Sequence, residues 1–370
     1  MADTPAPTPA REGGRTGEST GVQDVVESHK FNEAGLVDWM KAHVPGFEGP
    51  IAVKQFAGGQ SNYTYEIATP KAKYVMRRKP AGKLLPSAHA VDREYKVITA
   101  LHSTGFPVPR TYGLEADDSV VGTMFYVMDF MEGRIFWDQT LPNYEPAMRH
   151  KIHMASIKTL ADLHNTDYKA IGLETYGKPG NYFARQIERW SKQYRISETE
   201  KIPEMDYLID WLPKNIPEGD ETTIVHGDYR LDNMIFHPVE ARVLAVLDWE
   251  LSTLGHPLAD FSYHCMSWHI APGQFRGIAG LDFAALGIPS EDEYIALYAK
   301  NTGREVSRRD WNFYLAYNMF RLAGILQGIM KRYVDGTAAS PQALDAGKRA
   351  KPMAQMGWAL VEAAQGRIGA

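Results

Sequence analysis

One stretch constrains the chain more than any other: Ile224 to Phe261, IVHGDYRLDNMIFHPVEARVLAVLDWELSTLGHPLADF. It holds two short apolar runs, Met234 to His237 and Val243 to Leu247, with Pro238 to Arg242 between them. That pattern predicts an antiparallel hairpin. Asn233 enters the first strand and Asp248 leaves the second, so both belong to the same open end and should lie close in space. Asp228 precedes Asn233 on the incoming loop. A carboxylate, an amide oxygen and a second carboxylate therefore converge. Hard oxygen donors of this kind suit Mg²⁺, which takes a few protein oxygens together with phosphate and water.

Phosphoryl transfer requires such a set: one Asp to accept or orient the attacking hydroxyl, and an Asn and a second Asp to hold metal that bridges the phosphates. Asp228 fits the first role, and Asn233, Asp248 and Glu250 fit the second. His226-Gly227-Asp228 followed by Asn233 resembles a kinase catalytic loop, and Asp248-Trp249-Glu250 sits where a kinase's metal-binding Asp follows its strand.

The flanking chain divides in character. Residues 1–21 are Pro, Ala, Thr, Gly and Ser with scattered charges and no apolar period, and read as a disordered tail. From Ile51 the pattern is strand-like: Ile51 to Ala57, Asn62 to Ala68, Lys73 to Arg78, and later Arg110 to Glu115 and Thr123 to Phe130. A helix at Ala88 to His102 carries Val91, Tyr95, Ile98 and Leu101 on one face. After Gly133 the chain is mostly helical, with helices predicted at Ala147 to His164, Asn181 to Ile196, 309–332 and 342–366. The fold class expected is α+β: a small antiparallel five-stranded lobe with one helix over 22–130, and a larger helical lobe over 131–370.

Composition removes several alternatives. Lys and Arg number 40 against 45 Asp and Glu, a net charge of −5, so a general nucleic-acid binder is excluded. The single cysteine, Cys265, forbids an internal disulfide and a thiolate zinc cage. The composition is compatible with a reducing cytoplasm, where we expect the protein to reside. No secretory leader is expected at the N-terminus, and no membrane association: the apolar stretch from Phe313 to Met330 is interrupted by Asn318, Arg321 and Gln327 and reads as a buried core helix. There is also no G-x-x-x-x-G-K-[ST], against a P-loop enzyme. Oligomeric state is not legible.

On these residues the chain resembles the choline/aminoglycoside kinase-like phosphotransferases, over about residues 30–365. The family's catalytic loop reads HGD, four residues, N, and its metal Asp sits in a D-x-D/E motif, matching His226, Gly227, Asp228, Asn233, Asp248 and Glu250. Its later aspartate matches Asp260 after Gly255-His256-Pro257, and its Leu-His helix end matches Leu160 to His164. FAGGQSNYTY, HAVDREYKV, FYVMDFMEGRIF and VLDWELSTLGHPLADF are similar to the kinase-like portion associated with acyl-CoA dehydrogenases, although no dehydrogenase segment stands in this sequence.

The resemblance implies a protein-kinase-like fold, ATP and Mg²⁺, and a set of nucleotide-binding residues. Gly58, Gly59, Ser61 and Asn62 would lie in the phosphate-covering turn, which lacks the full G-x-G-x-x-G and by itself is an ordinary hairpin turn. Arg77 would hold the nucleotide phosphates where protein kinases use Lys, with Arg78 and Lys79 as register alternatives and Glu94 as its partner acid. Asp129 and Met131 would lie on the strand that meets the adenine. His226 and Asp260 would be structural, and Cys265, His264 and His269 form no metal-site spacing.

The implied activity is phosphorylation of a hydroxyl on a small-molecule acceptor. Asn181 to Ile196 carries Arg185, Arg189, Lys192 and Arg195 against Glu188 alone, and 321–332 carries Arg321, Lys331 and Arg332 with no acid. Two basic helical surfaces suit an anionic acceptor such as an acyl-CoA, and the resemblance to the dehydrogenase-associated portion implies a hydroxyl on an acyl chain as nucleophile, that is, a hydroxyacyl-CoA. The alternatives are an aminoglycoside, choline or homoserine kinase, and a nucleotide-binding scaffold without catalysis.

Overall fold

The computed structural model describes residues 21–57, 62–80, 90–338 and 340–366; the tail expected over 1–21 lies outside them apart from Gly21, as do Gly58, Gly59 and Ser61. The chain forms two compact units. One comprises Met1–Thr159, Lys169–Tyr176 and Arg230–Leu251, and the other Leu160–Tyr168, Gly177–Tyr229 and Ser252–Ala370.

The first unit is built on an antiparallel sheet of β1 (Val22–Gln23), β2 (Ala52–Phe56), β3 (Tyr63–Ala68), β4 (Lys73–Arg78), β5 (Thr111–Glu115) and β6 (Phe125–Asp129). The order is β1-β2-β3-β4-β6-β5. The expectation of five strands and one helix over 22–130 is therefore corrected to six strands and two helices among the described residues. The added strand β1 is a two-residue edge, too short for an alternating pattern to register. The added helix, α1 (Glu33–His43), is capped by the Asn32 side chain, which accepts from the Gly35 N–H. It buries Leu36, Trp39 and Met40, spaced i, i+3 and i+4, against Tyr65, Ile67, Met76, Phe125 and Val127 of the sheet. The second helix, α2 (Val91–His102), buries Val91, Ile98 and Leu101, and with them the acid Glu94.

The same unit contains most of α3 (Pro146–Asn165). In the other unit come α4 (Tyr182–Ser197), α5 (Pro203–Trp211) and the strand β7 (Thr223–Val225). The expected hairpin belongs to the first unit and is β8 (Met234–Phe236) with β9 (Val243–Val246). It pairs Met234 with Val246 and Ile235 with Ala245 before a bulge.

The second unit continues with β10 (Thr253–Gly255), paired antiparallel to β7, then α6 (Pro257–Cys265), α7 (Phe283–Leu286), α8 (Glu291–Thr302), α9 (Arg308–Val334), α10 (Ala343–Gly347) and α11 (Ala350–Ala364). At 27 residues, α9 is its spine, with an unbroken buried run from Phe313 to Gly324. It packs against α4, α6, α10 and α11. Among the described residues no helix is long and apolar enough to cross a membrane. The single helix expected over 342–366 is two, α10 and α11. Pro352 has no N–H to bond the Lys348 carbonyl and its ring would crowd it, so the helix restarts with Pro352 in its first turn.

Candidate active site

In the first unit, strand pleating sets the site. Arg77 stands opposite Thr64 on β3 and Tyr126 on β6, a row across three strands. Its guanidinium donates to Glu94 of α2 through both edges, Nη2 to Oε1 at 2.7 Å and Nε to Oε2 at 2.9 Å. Glu94 also accepts from the Tyr126 hydroxyl at 3.0 Å and from the Asn62 amide at 3.1 Å. Four donors thus converge on one buried carboxylate.

Burial opposes the charge on Arg77, yet Glu94, Tyr126 and Asp248 hold its pKa above the ordinary guanidinium value. Burial, and then Glu94, push the Tyr126 phenol well above its usual range, so it stays a donor. Arg78 leaves the opposite face of β4 and donates to Thr123 Oγ1 and the His29 carbonyl. Lys79 lies beyond the strand. Of the three cations considered from the sequence, Arg77 is the one that pairs with Glu94.

The hairpin is extended by one backbone bond, from the Leu247 N–H to the Asn233 carbonyl at 2.8 Å, which places Asn233 and Asp248 at its open end. Asp248 there takes a left-handed conformation, φ 66°. This is a rare state for a non-glycine residue, and it turns the chain into the short 3-10 turn Trp249–Leu251. Trp249 anchors that turn: it is buried and donates its indole N–H to the Val246 carbonyl at 3.0 Å. Carboxylate oxygens of Glu94, Asp248 and Glu250 lie within 4.8 Å of one another, and Asp248 is 3.9 Å from Arg77. Asp248 and Glu250, beside Glu94, whose oxygens accept from Arg77, Asn62 and Tyr126, could hold a hard divalent cation.

Asn62 itself is buried against Glu94. Asp129 ends β6 and accepts from the Tyr112 hydroxyl at 2.5 Å, and Met131 follows it, half-buried.

In the second unit, β7 delivers the His226-Gly227-Asp228 turn. Asp260, in the first turn of α6, takes the backbone N–H of His226 at 2.6 Å and of Gly227 at 2.8 Å. Burial penalises the Asp260 charge, but the bond from His164 and the nearby His226 hold its pKa below the usual carboxylate value. His164 in turn meets the Tyr298 hydroxyl at 2.8 Å, and burial lowers its pKa. His226 is fully buried and its Nδ1 accepts from the Asp228 N–H at 3.2 Å, a packing role.

Two contacts were not anticipated from the sequence. The Tyr263 hydroxyl donates to Asp228 Oδ1 at 2.6 Å, and Arg321 Nη2 donates to the Gly227 carbonyl at 2.7 Å. Tyr263 follows Asp260 by three residues and so shares its helix face; that spacing was a usable signal. For Arg321 the one signal was its place inside the apolar run from Phe313 to Met330, which implies burial but names no partner.

The expected basic surfaces are corrected accordingly. Arg321 is buried, Lys331 pairs with Asp335, Lys192 with Glu188, and Arg195 with Glu198 and Asp206. Cys265 is buried. His264 contacts the Tyr229 carbonyl and the Tyr294 hydroxyl, and His269 contacts Glu291.

A sequence model of the phosphotransferase enzyme family matches residues 52–294. Mouse acyl-CoA dehydrogenase family member 10 is 47% identical over 313 residues, which is 84% of this chain and 29% of that protein. Human acyl-CoA dehydrogenase family member 11 is 42% identical over 353 residues, 94% of this chain and 45% of that protein. The chain thus spans less than half the length of these relatives.

Among solved structures, a Ralstonia eutropha protein with the provisional name aminoglycoside phosphotransferase superposes with a TM-score of 0.84 at 61% identity, covering 90% of this chain and 99% of that one. Choline kinase from Cryptosporidium parvum superposes with a TM-score of 0.64 at 13% identity over 90% of this chain and 96% of that one. An aminoglycoside phosphotransferase mutant in complex with AMP-PNP and hygromycin B gives 0.58 at 14% over 89% and 98%. Identities this low speak for the fold alone, which is the kinase-like α+β fold.

Proposed function

The chain belongs to the phosphotransferase enzyme family, and from that premise we propose that it moves the terminal phosphoryl group of ATP to a hydroxyl of a small hydroxyacyl-type acceptor, the leading candidate being a hydroxyacyl-CoA. One observation carries the reaction class: the Arg77–Glu94 pair, in which a buried cation is held 3.9 Å from Asp248 beside Glu250.

In this reading Arg77 grips nucleotide phosphate oxygens, its orientation fixed by Glu94, which Asn62 and Tyr126 hold in turn. Its wide planar fork takes over from the compact ammonium of a protein kinase. Asp248 and Glu250, with Asn233, would hold Mg²⁺, which supplies charge neutralisation on the phosphates. Asp228 orients the acceptor hydroxyl and takes its proton. The transition state is loose, so orientation matters more than early deprotonation. Tyr263 fixes the Asp228 carboxylate through Oδ1, and Asp260 fixes the backbone that carries it. Gly58, Gly59 and Ser61 would cover the phosphates, and Asp129 and Met131 would flank the adenine.

The acyl acceptor is supported by the names of the relatives, which place kinase-like sequence in proteins called acyl-CoA dehydrogenases. The test is ATP turnover, followed by mass spectrometry, with hydroxy acids, their coenzyme A esters, choline, homoserine and an aminoglycoside. Transfer to the esters, lost in Asp228→Asn while ATP binding persists, supports the proposal. Preferential transfer to the aminoglycoside or choline overturns the acceptor class. Turnover of nothing, with ATP bound, makes the chain a nucleotide-binding scaffold.

A further inference from the structure

Arg321 is only 9% exposed and stands in the most enclosed part of α9. A buried guanidinium normally has a carboxylate partner, because desolvating the charge is costly. Arg321 has none in ion-pair range among the described residues. The groups that face it are the phenols of Tyr317, Tyr182 and Tyr263, neutral at ordinary pH, and Asp228 from farther away. Of its five N–H donors, one is bonded, to the Gly227 carbonyl. The Tyr263 ring lies 5.4 Å and the Trp190 ring 6.0 Å from the guanidinium carbon, so aromatic rings flank it rather than carboxylates.

Trp190 adds a second, independent observation. Its indole Nε1 is buried and has no acceptor among the described residues. Arg189, which is exposed, also rests on this ring, at 5.6 Å. Two guanidinium groups and an orphan N–H thus gather on one aromatic side chain, all of them donors. The chemistry complementary to such a set is an oxyanion, and the planar fork of Arg321 suits a carboxylate or phosphate.

We propose that Arg321, with Trp190 and Arg189, forms a subsite for an oxyanion of the phosphate acceptor, next to the residue that orients its hydroxyl. This rests on the reading of Asp228 given above. Because Arg321 holds the carbonyl of Gly227, the residue before Asp228, the oxyanion and the hydroxyl are a short span apart on the acceptor. The oxyanion is then a phosphate of the carrier if the acceptor is a hydroxyacyl-CoA, whose carboxyl is a neutral thioester, or the carboxylate if the acceptor is the free hydroxy acid. A polycation such as an aminoglycoside meets like charge here.

Calorimetry with acids that lack the hydroxyl, and separately with their coenzyme A esters, reads the subsite without needing transfer. Wild type should bind one of them. Arg321→Gln should weaken that binding about tenfold to a hundredfold, as for the loss of a charge-assisted hydrogen bond. Arg321→Lys should restore part of it, and ATP affinity should change less than about twofold in both. Binding of the free acid identifies the carboxylate as the oxyanion; binding of the ester alone identifies the carrier.

If Arg321→Gln does not fold, Trp190→Phe, which keeps a ring and removes the N–H, and Arg189→Gln should each weaken anion binding several-fold. Unchanged anion binding in a folded Arg321→Gln, or in both substitute variants, overturns the subsite. Loss of anion binding in the variants of a protein that phosphorylates no hydroxy compound keeps the subsite and overturns the kinase reading instead.

Discussion

Replacing Glu94 with Ala puts the buried end of the site under the greatest strain. The Glu94 side chain is 2% exposed and that of Arg77 is 15% exposed. Four hydrogen bonds end on the lost carboxylate: two from Arg77 and one each from Asn62 and Tyr126. Removing one partner of a buried ion pair costs about 3–5 kcal/mol, chiefly because the survivor stays charged and desolvated. The remaining acid, Asp248, is 3.9 Å away and recovers little of this.

With a urea dependence of about 1–3 kcal/mol per molar, the unfolding midpoint should fall by about 1–5 M. The double variant Arg77→Met with Glu94→Leu removes both charges and should recover most of the stability, since well-packed apolar replacements of buried pairs are often neutral. It should recover no phosphoryl transfer, because the cation is gone. Urea unfolding of the single and double variants, with ATP turnover on the same samples, makes the measurement. A loss below about 1 kcal/mol in Glu94→Ala, or a double variant less stable than the two singles combined, would refute the account of the pair as a buried, mutually dependent unit.

Acid should unfold the protein early. Burial lowers the pKa values of His256 and His264 to about 4, so both bind protons less readily when folded than when unfolded. The stability they confer is complete above pH ~6.5 and is lost as pH falls toward 4, on the order of 3 kcal/mol for each. Urea midpoints at pH 7 and pH 5 check this, and His264→Gln should flatten the slope. Asp248→Ala should abolish transfer with the fold intact, and Asn233→Ala should impair it less; steady-state kinetics beside a thermal melt separates the two, and near-wild-type turnover in Asp248→Ala defeats the site assignment. Asp260→Asn should cost about 1.5–3 kcal/mol, since the His226 and Gly227 N–H groups lose an ionised acceptor, and should lower kcat more than KM for ATP. Equal effects on both constants would argue against a bracing role for Asp260.

Local pattern determined a good deal of this protein. Lys73–Arg78 was legible as a strand residue for residue, because Tyr74, Val75 and Met76 favour a pleated, buried surface and Pro70 and Pro80 bracket it. The hairpin that carries Asn233 and Asp248 was legible because apolar runs and a polar turn have only one short-range solution. Glu94, three residues after Val91 and four before Ile98, shares their inward helix face, a spacing visible in the sequence. What tertiary structure decided are the partners that spacing cannot supply. Arg77 rather than Arg78 faces Glu94 because strand pleating and sheet position select one face of β4. Tyr263 meets Asp228 across 35 positions, and Arg321 meets Gly227 across 94. Arg321 shows the limit plainly: in sequence its place in an apolar run implies burial but names no partner, and the packing of α4 and α6 around α9 is what removes its water. A charge's cost depends on its solvent, and solvent exposure is a property of the folded whole rather than of neighbours along the chain.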